Sequence, residues 1–283
     1  FWTGMLWLAY EYTNDKGEKK KGYFRYWAPG RVIEHDGKFY LYVTFVKPGD
    51  KMGTYVLVAD RPEGPFRFTE GKGLFVSGEE VDSPAINDID GEPFIDDDGT
   101  GYIFWRRRNA ARLSADRLHL DGEPVTLKTV RQGYSEGPVM FKRKGIYYYI
   151  YTLSGHQNYA NAYMMSRESP LTGFVKPEGN DIFLFSSPEN QVWGPGHGNV
   201  FYDEGTDEYI FLYLEYGDGG TTRQIYANWM EFNDDGTIKT LVPDMRGVGC
   251  LATPQEKRTN LSLQSHFYAS SEKEPRTSVV SIE

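Results

Sequence analysis

Residues 136–151 read EGPVMFKRKGIYYYIY, and this stretch decides the fold class. An acidic residue is followed by an apolar run, a turn at Lys144-Gly145 and a second run rich in tyrosine. Glycine accepts the positive φ that a tight hairpin turn requires. Apolar and aromatic runs of this length on both sides of such a turn indicate two antiparallel β-strands.

The same pattern occurs four times along the chain. Its first residues, which we call the anchors, are Trp27, Asp90, Glu136 and His197, and they lie 63, 46 and 61 residues apart. A turn glycine follows each anchor after eight to ten residues, the last one at Gly205. Repeats of roughly 40 to 60 residues, each built from hairpins, are typical of a β-propeller and not of a sandwich. The chain is therefore expected to be all-β.

Composition excludes several classes of function. The 283 residues carry a net charge of −9 and show no basic patch, so nucleic acid is not an expected partner. The longest apolar stretch near the start, residues 4–10, is too short to cross a bilayer. No charged segment precedes it, so neither a membrane span nor a signal peptide is visible. Cys250 is the single cysteine, which excludes a disulfide framework and a cysteine-based metal site.

Both ends of the sequence depart from the repeat. Residues 1–26 contain a strand, a turn and a return strand but no anchor, and we expect them to be the remnant of a first blade. Residues 260–283 are polar, serine-rich and out of register with the repeat. They are either a linker or the start of a discoidin-like β-sandwich that binds carbohydrate. We therefore expect a propeller domain over residues 1–259 and a short extension over 260–283.

The anchors are the residues in which we expect the chemistry. A propeller sets the starts of its innermost strands around one axis, so the four anchors should converge at one mouth of the central channel. An aromatic ring, two carboxyl groups and an imidazole suit a carbohydrate pocket. Two carboxyl groups in a cleft with little water can have different pKa values, so that one is a protonated acid and the other is ionised. Glycoside hydrolysis uses such a pair.

The motifs around the anchors resemble those of glycoside hydrolase family 43, and the resemblance covers about residues 23–248. The motifs are Trp27-Ala28-Pro29, then Ile89-Asp90 followed by 94–99, then Glu136-Gly137-Pro138, then 194–198 (GPGHG). The resemblance implies a five-bladed propeller, here with an incomplete first blade, that acts on xylose- or arabinose-containing plant glycans. It also implies a secreted or periplasmic location.

The resemblance also implies a role for each candidate residue. Glu136 would be the general acid, and Asp90 would orient it and raise its pKa. Trp27, His197 and Arg223 would contact the substrate. No cofactor is required. A structural calcium in the central channel, held through water at His197, is the one metal ion that the resemblance suggests.

One departure from the family pattern concerns the general base. That base is an aspartate of the first blade, usually before proline, whereas Asp15 is the only aspartate ahead of Trp27 and no proline follows it. We expect the base to lie in a missing N-terminal segment and the reaction to be an inverting single displacement.

Several alternatives stay open at the level of sequence. The chain could be a non-catalytic sugar-binding propeller that lacks the base, or a relative that cleaves galactan or galactofuranosides. Asp88 could replace Asp90 as the partner of the acid. Asp96, Asp97 and Asp98 look like calcium ligands, but no glutamate follows at the spacing of an EF-hand, so a hairpin turn is favoured.

Overall fold

A computed structural model describes residues 9–23, 25–47, 51–67, 85–86, 88–155, 158–220, 223–249, 267–271 and 279–282. Within these ranges the regular secondary structure is almost entirely β-strand. The helical segments there are 3₁₀ turns of three residues: Arg106–Arg108, Pro188–Asn190 and Asp218–Gly220. No helix in the described ranges is long and apolar enough to cross a membrane.

Four antiparallel sheets form four blades of a propeller, which we name A to D in chain order. Blade A contains β3 (Arg25–Trp27), β4 (Val32–His35), β5 (Lys38–Lys47) and β6 (Lys51–Ala59), with β3 and β4 both paired to β5. Blade B contains β7 (Glu92–Ile95), β8 (Gly101–Trp105), β9 (Asn109–Leu113) and β10 (Leu120–Thr126). Blade C contains β11 (Ser135–Arg143), β12 (Ile146–Leu153), β13 (Ala160–Ser166) and β14 (Ile182–Leu184). Blade D contains β15 (Gly196–Asp203), β16 (Glu208–Glu215) and β17 (Gln224–Met230).

Two further hairpins lie at the ends of the described chain. β1 (Ala9–Thr13) pairs with β2 (Lys19–Tyr23), and β18 (Phe267–Ser271) pairs with β19 (Val279–Ile282). The first pair forms the strand and return strand expected within residues 1–26, although residues 1–8 lie outside the described residues. The all-β propeller is confirmed with four blades. The fifth blade, the domain boundary at residue 259 and a C-terminal sandwich stay predictions.

The blades pack face to face through alternating side chains of their strands. Successive side chains of a strand point to opposite faces of the sheet. One face of β12 joins blade B in a cluster with Phe104, through Tyr147, Tyr149 and Tyr151. The opposite face joins blade D in a cluster with Phe211, through Ile146, Tyr148 and Ile150. Because both faces are covered, the tyrosine-rich run is core and not a binding surface.

We expect Phe211→Ala to lower the free energy of unfolding by about 3–5 kcal/mol, because it leaves a large cavity between blades C and D. The Phe211 ring is 0% exposed and lies edge-on to Phe183, with 5.2 Å between ring centroids. Phe201→Ala on β15 is the matched control, since that ring is 45% exposed. Urea unfolding measures both. Equal losses in the two variants would contradict the assignment of the core to the interface between the blades.

The predicted hairpin turns form in all four copies. Both residues of Asp36-Gly37 and of Lys144-Gly145 have positive φ, as a two-residue turn requires. Gly99 has a φ of 82° and closes the turn that begins at Asp96. The predicted turn of the fourth copy, at Gly205, also lies between two paired strands, β15 and β16. Four residues connect β15 to β16 there, and the left-handed residue is the last of them, Asp207, with a φ of 54°.

Candidate active site

The four anchors meet at one end of the propeller hub. Trp27 ends β3, Asp90 lies two residues before β7, and Glu136 and His197 are the second residues of β11 and β15. The inner strands contact one another in chain order, β4 with β7, β7 with β11, and β11 with β15. The repeat therefore converts a sequence spacing of many tens of residues into spatial proximity.

The backbone turns at this place in every blade. A left-handed φ occurs at Ala28 (31°), Asp90 (66°), Gly137 (52°) and His197 (45°). Non-glycine residues in this region cost on the order of 1–3 kcal/mol and cluster at functional sites. In blades C and D the turn coincides with a register shift in the strand pairing. Such bulges redirect a side chain, here into the hub.

Buried threonines hold two of these strained positions. The hydroxyl of Thr44 on β5 accepts a hydrogen bond from the Asp90 amide of the next blade at 3.0 Å. The hydroxyl of Thr152 on β12 accepts one from the His197 amide of the next blade at 2.8 Å. Both threonines are fully buried. Each of these two anchors is thus fixed by the blade that precedes it.

A cavity of about 540 Å³ opens over this end of the hub. All five candidate residues line it: Trp27, Asp90, Glu136, His197 and Arg223. The other walls are mainly aromatic and aliphatic: Tyr26, Ala28, Ile89, Tyr134, Tyr159, Leu214 and Tyr216. A concave site with apolar walls and a few convergent polar groups is the usual form of a small-molecule pocket. The cavity therefore has the size and lining that a sugar ring needs.

Three groups surround the carboxyl group of Glu136. The hydroxyl of Tyr159 donates a hydrogen bond to its Oε1, and the hydroxyl of Tyr134 donates one to its Oε2. The Nδ1 atom of His197 lies 3.7 Å from Oε1. Asp90 stands beside this group, and its Oδ2 accepts a hydrogen bond from the Gly137 amide at 3.2 Å. One carboxylate oxygen of Asp90, one of Glu136 and one ring nitrogen of His197 all lie within 4.8 Å of one another.

The environment separates the pKa values of the two carboxyl groups. Burial raises the pKa of Asp90, and the neighbouring Glu136 adds to that increase. Burial would also raise the pKa of Glu136, but the His197 imidazole and the Tyr134 hydroxyl outweigh it, and the pKa lies below its ordinary value. Burial would lower the pKa of His197, but Asp90 and Glu136 outweigh it and hold the pKa above its ordinary value. The surroundings therefore move the pKa values of Asp90 and Glu136 in opposite directions.

Arg223 reaches the cavity from the start of β17. Its Nη2 donates a hydrogen bond to the Tyr216 hydroxyl at 2.6 Å, and its guanidinium lies over the Tyr216 ring, 5.0 Å from the ring centroid. Tyr216 in turn lies edge-on to Tyr159, with 5.1 Å between centroids. A cation is therefore connected through two aromatic rings to the carboxyl group of Glu136.

A buried polar network lies on the inner strands beyond the anchors. Glu92 on β7 accepts hydrogen bonds from the Arg31 amide at 2.9 Å and from the Asn199 side chain at 3.1 Å. Arg31 also donates to the Asn199 side-chain oxygen at 2.9 Å. These three residues join blades A, B and D across the axis. The network therefore fixes the spacing of the inner strands that carry the anchors.

The donor set does not fit a directly bound calcium ion. Calcium takes six to eight oxygen ligands, whereas the cluster offers two carboxyl groups and an imidazole. Both oxygens of Glu136 already accept tyrosine hydroxyl groups, and an oxygen of Asp90 accepts the Gly137 amide. A calcium held through water at His197 stays a prediction.

Two alternatives from the sequence occupy other places in the structure. Asp88 forms an ion pair with Arg106 at 2.7 Å and does not line the cavity. Asp96 lies in the hairpin turn of blade B, where it accepts hydrogen bonds from Lys142 and Tyr147 of blade C at 2.8 and 2.7 Å. Asp97 also contacts Lys142. This aspartate run therefore ties two blades together.

The glycines around His197 accommodate protein atoms. A Cβ at Gly196 would lie 2.5 Å from the Tyr159 ring, and one at Gly198 would lie 2.3 Å from the Leu212 carbonyl oxygen. The room that these glycines leave is thus used for close packing of blade D, and not for a ligand.

Sequence reasoning missed the tyrosines of the cavity. A signal for Tyr134 exists, because a residue two positions before Glu136 in an extended chain points to the same face. Tyr159 carries no such signal, since it reaches Glu136 from a segment that precedes another strand, β13. Sequence reasoning also missed the network of Arg31, Glu92 and Asn199, because these residues come from segments that are far apart in the chain.

We expect Gly137→Ala to lower both stability and activity. Gly137 has a φ of 52°, and a Cβ there would lie 2.9 Å from Cγ of His197 and 3.0 Å from its Cα. Backbone strain and displacement of His197 together should cost on the order of 1–3 kcal/mol. Gly145→Ala is the control, because Gly145 has a φ of 75° and open space around a Cβ. Thermal unfolding and glycosidase assays of both variants separate strain from the clash, and an intact activity in Gly137→Ala would contradict the close approach.

The comparison with known proteins agrees with this geometry. A profile described as Glycosyl hydrolases family 43 matches residues 7–238. The chain belongs to this family. Its members are glycosidases, and a solved structure named "Glycoside hydrolase" is 40% identical with a TM-score of 0.76, covering 92% of this chain and 60% of that one.

Two curated relatives have narrower names. The Beta-D-galactofuranosidase of Aspergillus niger is 30% identical over 78% of this chain and 66% of its own length. The Arabinoxylan arabinofuranohydrolase of Bacillus subtilis is 25% identical over 78% of this chain and 48% of its own length. The chain thus spans about two thirds of the first relative and about half of the second.

Proposed function

We propose that this chain forms the site of a glycosidase that cleaves xylose- or arabinose-containing glycans by an inverting single displacement. Glu136 is the general acid, Asp90 sets its pKa, and Trp27, His197 and Arg223 bind the terminal sugar. The observation that carries the proposal is that all five residues line one cavity of sugar size. Polymeric plant glycans lie outside cells, which agrees with the secreted or periplasmic location expected from the resemblance.

The proposed reaction moves one proton to the substrate and takes one from water. A water oxygen attacks the anomeric carbon while the bond from that carbon to the glycosidic oxygen breaks. The electron pair of that bond stays on the leaving oxygen, which receives the proton from Glu136. The general base, which we propose to be an aspartate N-terminal to Trp27, takes the proton of the attacking water. Each proton transfer contributes about a hundredfold to ten-thousandfold in rate.

The position of Asp90 suits a residue that sets the pKa of Glu136 better than it suits a general base or a nucleophile. The two catalytic carboxyl groups of an inverting enzyme stand about 6.5–9.5 Å apart to leave room for the attacking water. The Asp90 and Glu136 oxygens lie within 4.8 Å of each other, which leaves no such room. Retaining enzymes place their carboxyl groups about 5–5.5 Å apart, but their nucleophile must be ionised. Burial raises the pKa of Asp90, which opposes that role.

The substrate panel that tests the proposal contains aryl β-D-xyloside, α-L-arabinofuranoside and β-D-galactofuranoside. We expect hydrolysis of the xyloside or the arabinofuranoside, with NMR showing that the product first forms with inverted anomeric configuration. Retention would overturn the inverting mechanism and reassign Asp90 as nucleophile. Cleavage of the galactofuranoside alone would reassign the substrate to that of the Aspergillus niger relative.

A non-catalytic sugar-binding role is the second candidate. The observation in its favour is that, among the described residues lining the cavity, Asp90 and Glu136 are the two carboxylates and neither is placed as a base. Isothermal titration with xylose and arabinose separates the two functions. Binding without turnover of any substrate in the panel supports the second candidate.

A further inference from the structure

The two oxygens of Glu136 have unequal surroundings. Oε1 faces two groups, the Tyr159 hydroxyl and the His197 imidazole, whereas Oε2 accepts a hydrogen bond from the Tyr134 hydroxyl. A general acid must hold its proton on the oxygen that faces the glycosidic oxygen. Oε2 meets that requirement only when the Tyr134 hydroxyl leaves it.

The two tyrosines differ in how firmly they are held. Tyr159 is 6% exposed, packs against the Gly196 backbone and lies edge-on to Tyr216. Tyr134 is 48% exposed at the cavity wall, in the segment between blades B and C. Displacement of Tyr134 therefore costs little packing, whereas displacement of Tyr159 disrupts the interface of blades C and D.

We propose that Tyr159 is a positioning residue that fixes Glu136 through Oε1, and that Tyr134 is a substrate-displaced residue whose hydroxyl occupies the place of the glycosidic oxygen at Oε2. When the sugar enters, the Tyr134 hydroxyl leaves Oε2, and its ring forms the wall of the site for the leaving group. This inference rests on the proposed role of Glu136 as general acid.

The displacement of Tyr134 also changes the pKa of Glu136. A hydrogen bond donated to a carboxylate stabilises its charged form and lowers its pKa. Loss of the Tyr134 hydroxyl and of water from the cavity both raise the pKa of Glu136. With its pKa raised, Glu136 is more readily protonated when the glycosidic oxygen arrives. The entering substrate thereby raises the pKa of the acid that protonates it.

Tyr134→Phe and Tyr159→Phe test the inference through their pH profiles. The alkaline limb of kcat/KM reports the pKa of the acid in the free enzyme, and that of kcat reports it in the substrate complex. For Tyr134→Phe we expect the limb of kcat/KM to move up by about one pH unit and the limb of kcat to stay, because Tyr134 has already left Oε2 in the complex. For Tyr159→Phe we expect both limbs to move up and kcat to fall about tenfold to a hundredfold on a phenyl glycoside.

Matched controls remove hydroxyl groups elsewhere. Tyr202→Phe removes an exposed hydroxyl that donates to Asp207, and Tyr148→Phe removes a buried one that donates to the Gly236 carbonyl. Neither control variant should shift the alkaline limb of kcat/KM or of kcat. If Tyr134→Phe moves both limbs equally, Tyr134 stays on Oε2 in the complex and the displacement is refuted. Unmoved limbs in both site variants would refute the whole inference.

Glu136→Gln separates this inference from the proposed function. An inactive Glu136→Gln together with unmoved limbs in the tyrosine variants overturns the inference alone. A fully active Glu136→Gln overturns both. Where turnover is too slow to measure, NMR titration of the Glu136 carboxyl carbon, without sugar and with saturating xylose or arabinose, gives the same contrast between the two tyrosine variants.

Discussion

Replacement of Glu136 by glutamine should lower kcat on an unactivated glycan by about a hundredfold to ten-thousandfold, the usual contribution of a general acid. Glutamine keeps the size of the side chain and accepts the Tyr159 hydroxyl through its amide oxygen. It has no proton to give to the leaving oxygen. The measurement compares natural oligosaccharide, phenyl glycoside and 2,4-dinitrophenyl glycoside on the full-length chain.

The leaving group distinguishes a lost acid from a damaged site. A dinitrophenolate leaves without protonation, so Glu136→Gln should retain most of its activity on that substrate. A uniform loss on all three substrates would point to a distorted cavity. Full activity on the natural oligosaccharide would remove Glu136 from the role of acid altogether.

Replacement of Asp90 by asparagine should produce the second large effect, and it should act on activity and stability in opposite directions. Asparagine keeps an oxygen for the Gly137 amide but carries no charge. At a pH above its raised pKa, Asp90 is ionised, and its charge raises the pKa of the Glu136 acid by repulsion between like charges. Without it, Glu136 loses its proton at lower pH, and kcat/KM near neutral pH should fall about tenfold to a hundredfold. The alkaline limb of the pH profile should move down.

Stability should change with pH in a defined direction. Burial raises the pKa of Asp90 in the folded state. A carboxyl group of this kind contributes stability that is fully present below its unfolded pKa and is lost as pH rises through its folded pKa. The substituted asparagine does not ionise, so Asp90→Asn should gain stability over the parent chain as pH rises through that value. Urea unfolding of both proteins from acid to mildly alkaline pH measures the gain. A constant difference between the two stability curves would contradict the raised pKa of the buried Asp90.

Local pattern made the fold class and the four anchors predictable, whereas Arg223 was predicted from the family resemblance. A turn glycine between two apolar runs specifies a hairpin from neighbouring residues alone, as at Lys144-Gly145. Four such hairpins repeated at a regular spacing place their first residues at equivalent positions around an axis. Asp90 and Glu136 could therefore be assigned to one cavity although 46 residues separate them. The fourth turn also lies at its predicted glycine, Gly205, although the glycine pattern does not report that the loop there has four residues.

Contacts between distant segments were not predictable in the same way. Arg31 and Asn199 are 168 positions apart and meet only because blades A and D face each other across the hub. Tyr159 reaches Glu136 from before β13, and nothing in its neighbouring residues distinguishes it from the core tyrosines of β12. The lowered pKa of Glu136 also depends on contacts formed by the fold, since His197 and Tyr134 lower it against the effect of burial.

The amino-acid sequence by itself determined that this protein is built from repeated hairpin sheets and that an aromatic ring, two carboxyl groups and an imidazole occupy matching places in them. These features follow from periodicity, which acts between residues close together in the chain. The tertiary structure alone decided which tyrosine hydroxyl each oxygen of Glu136 accepts and in which direction the pKa of each carboxyl group moves. Those properties depend on distances of a few ångströms between groups from different blades, and on the exclusion of water that only the packed hub provides.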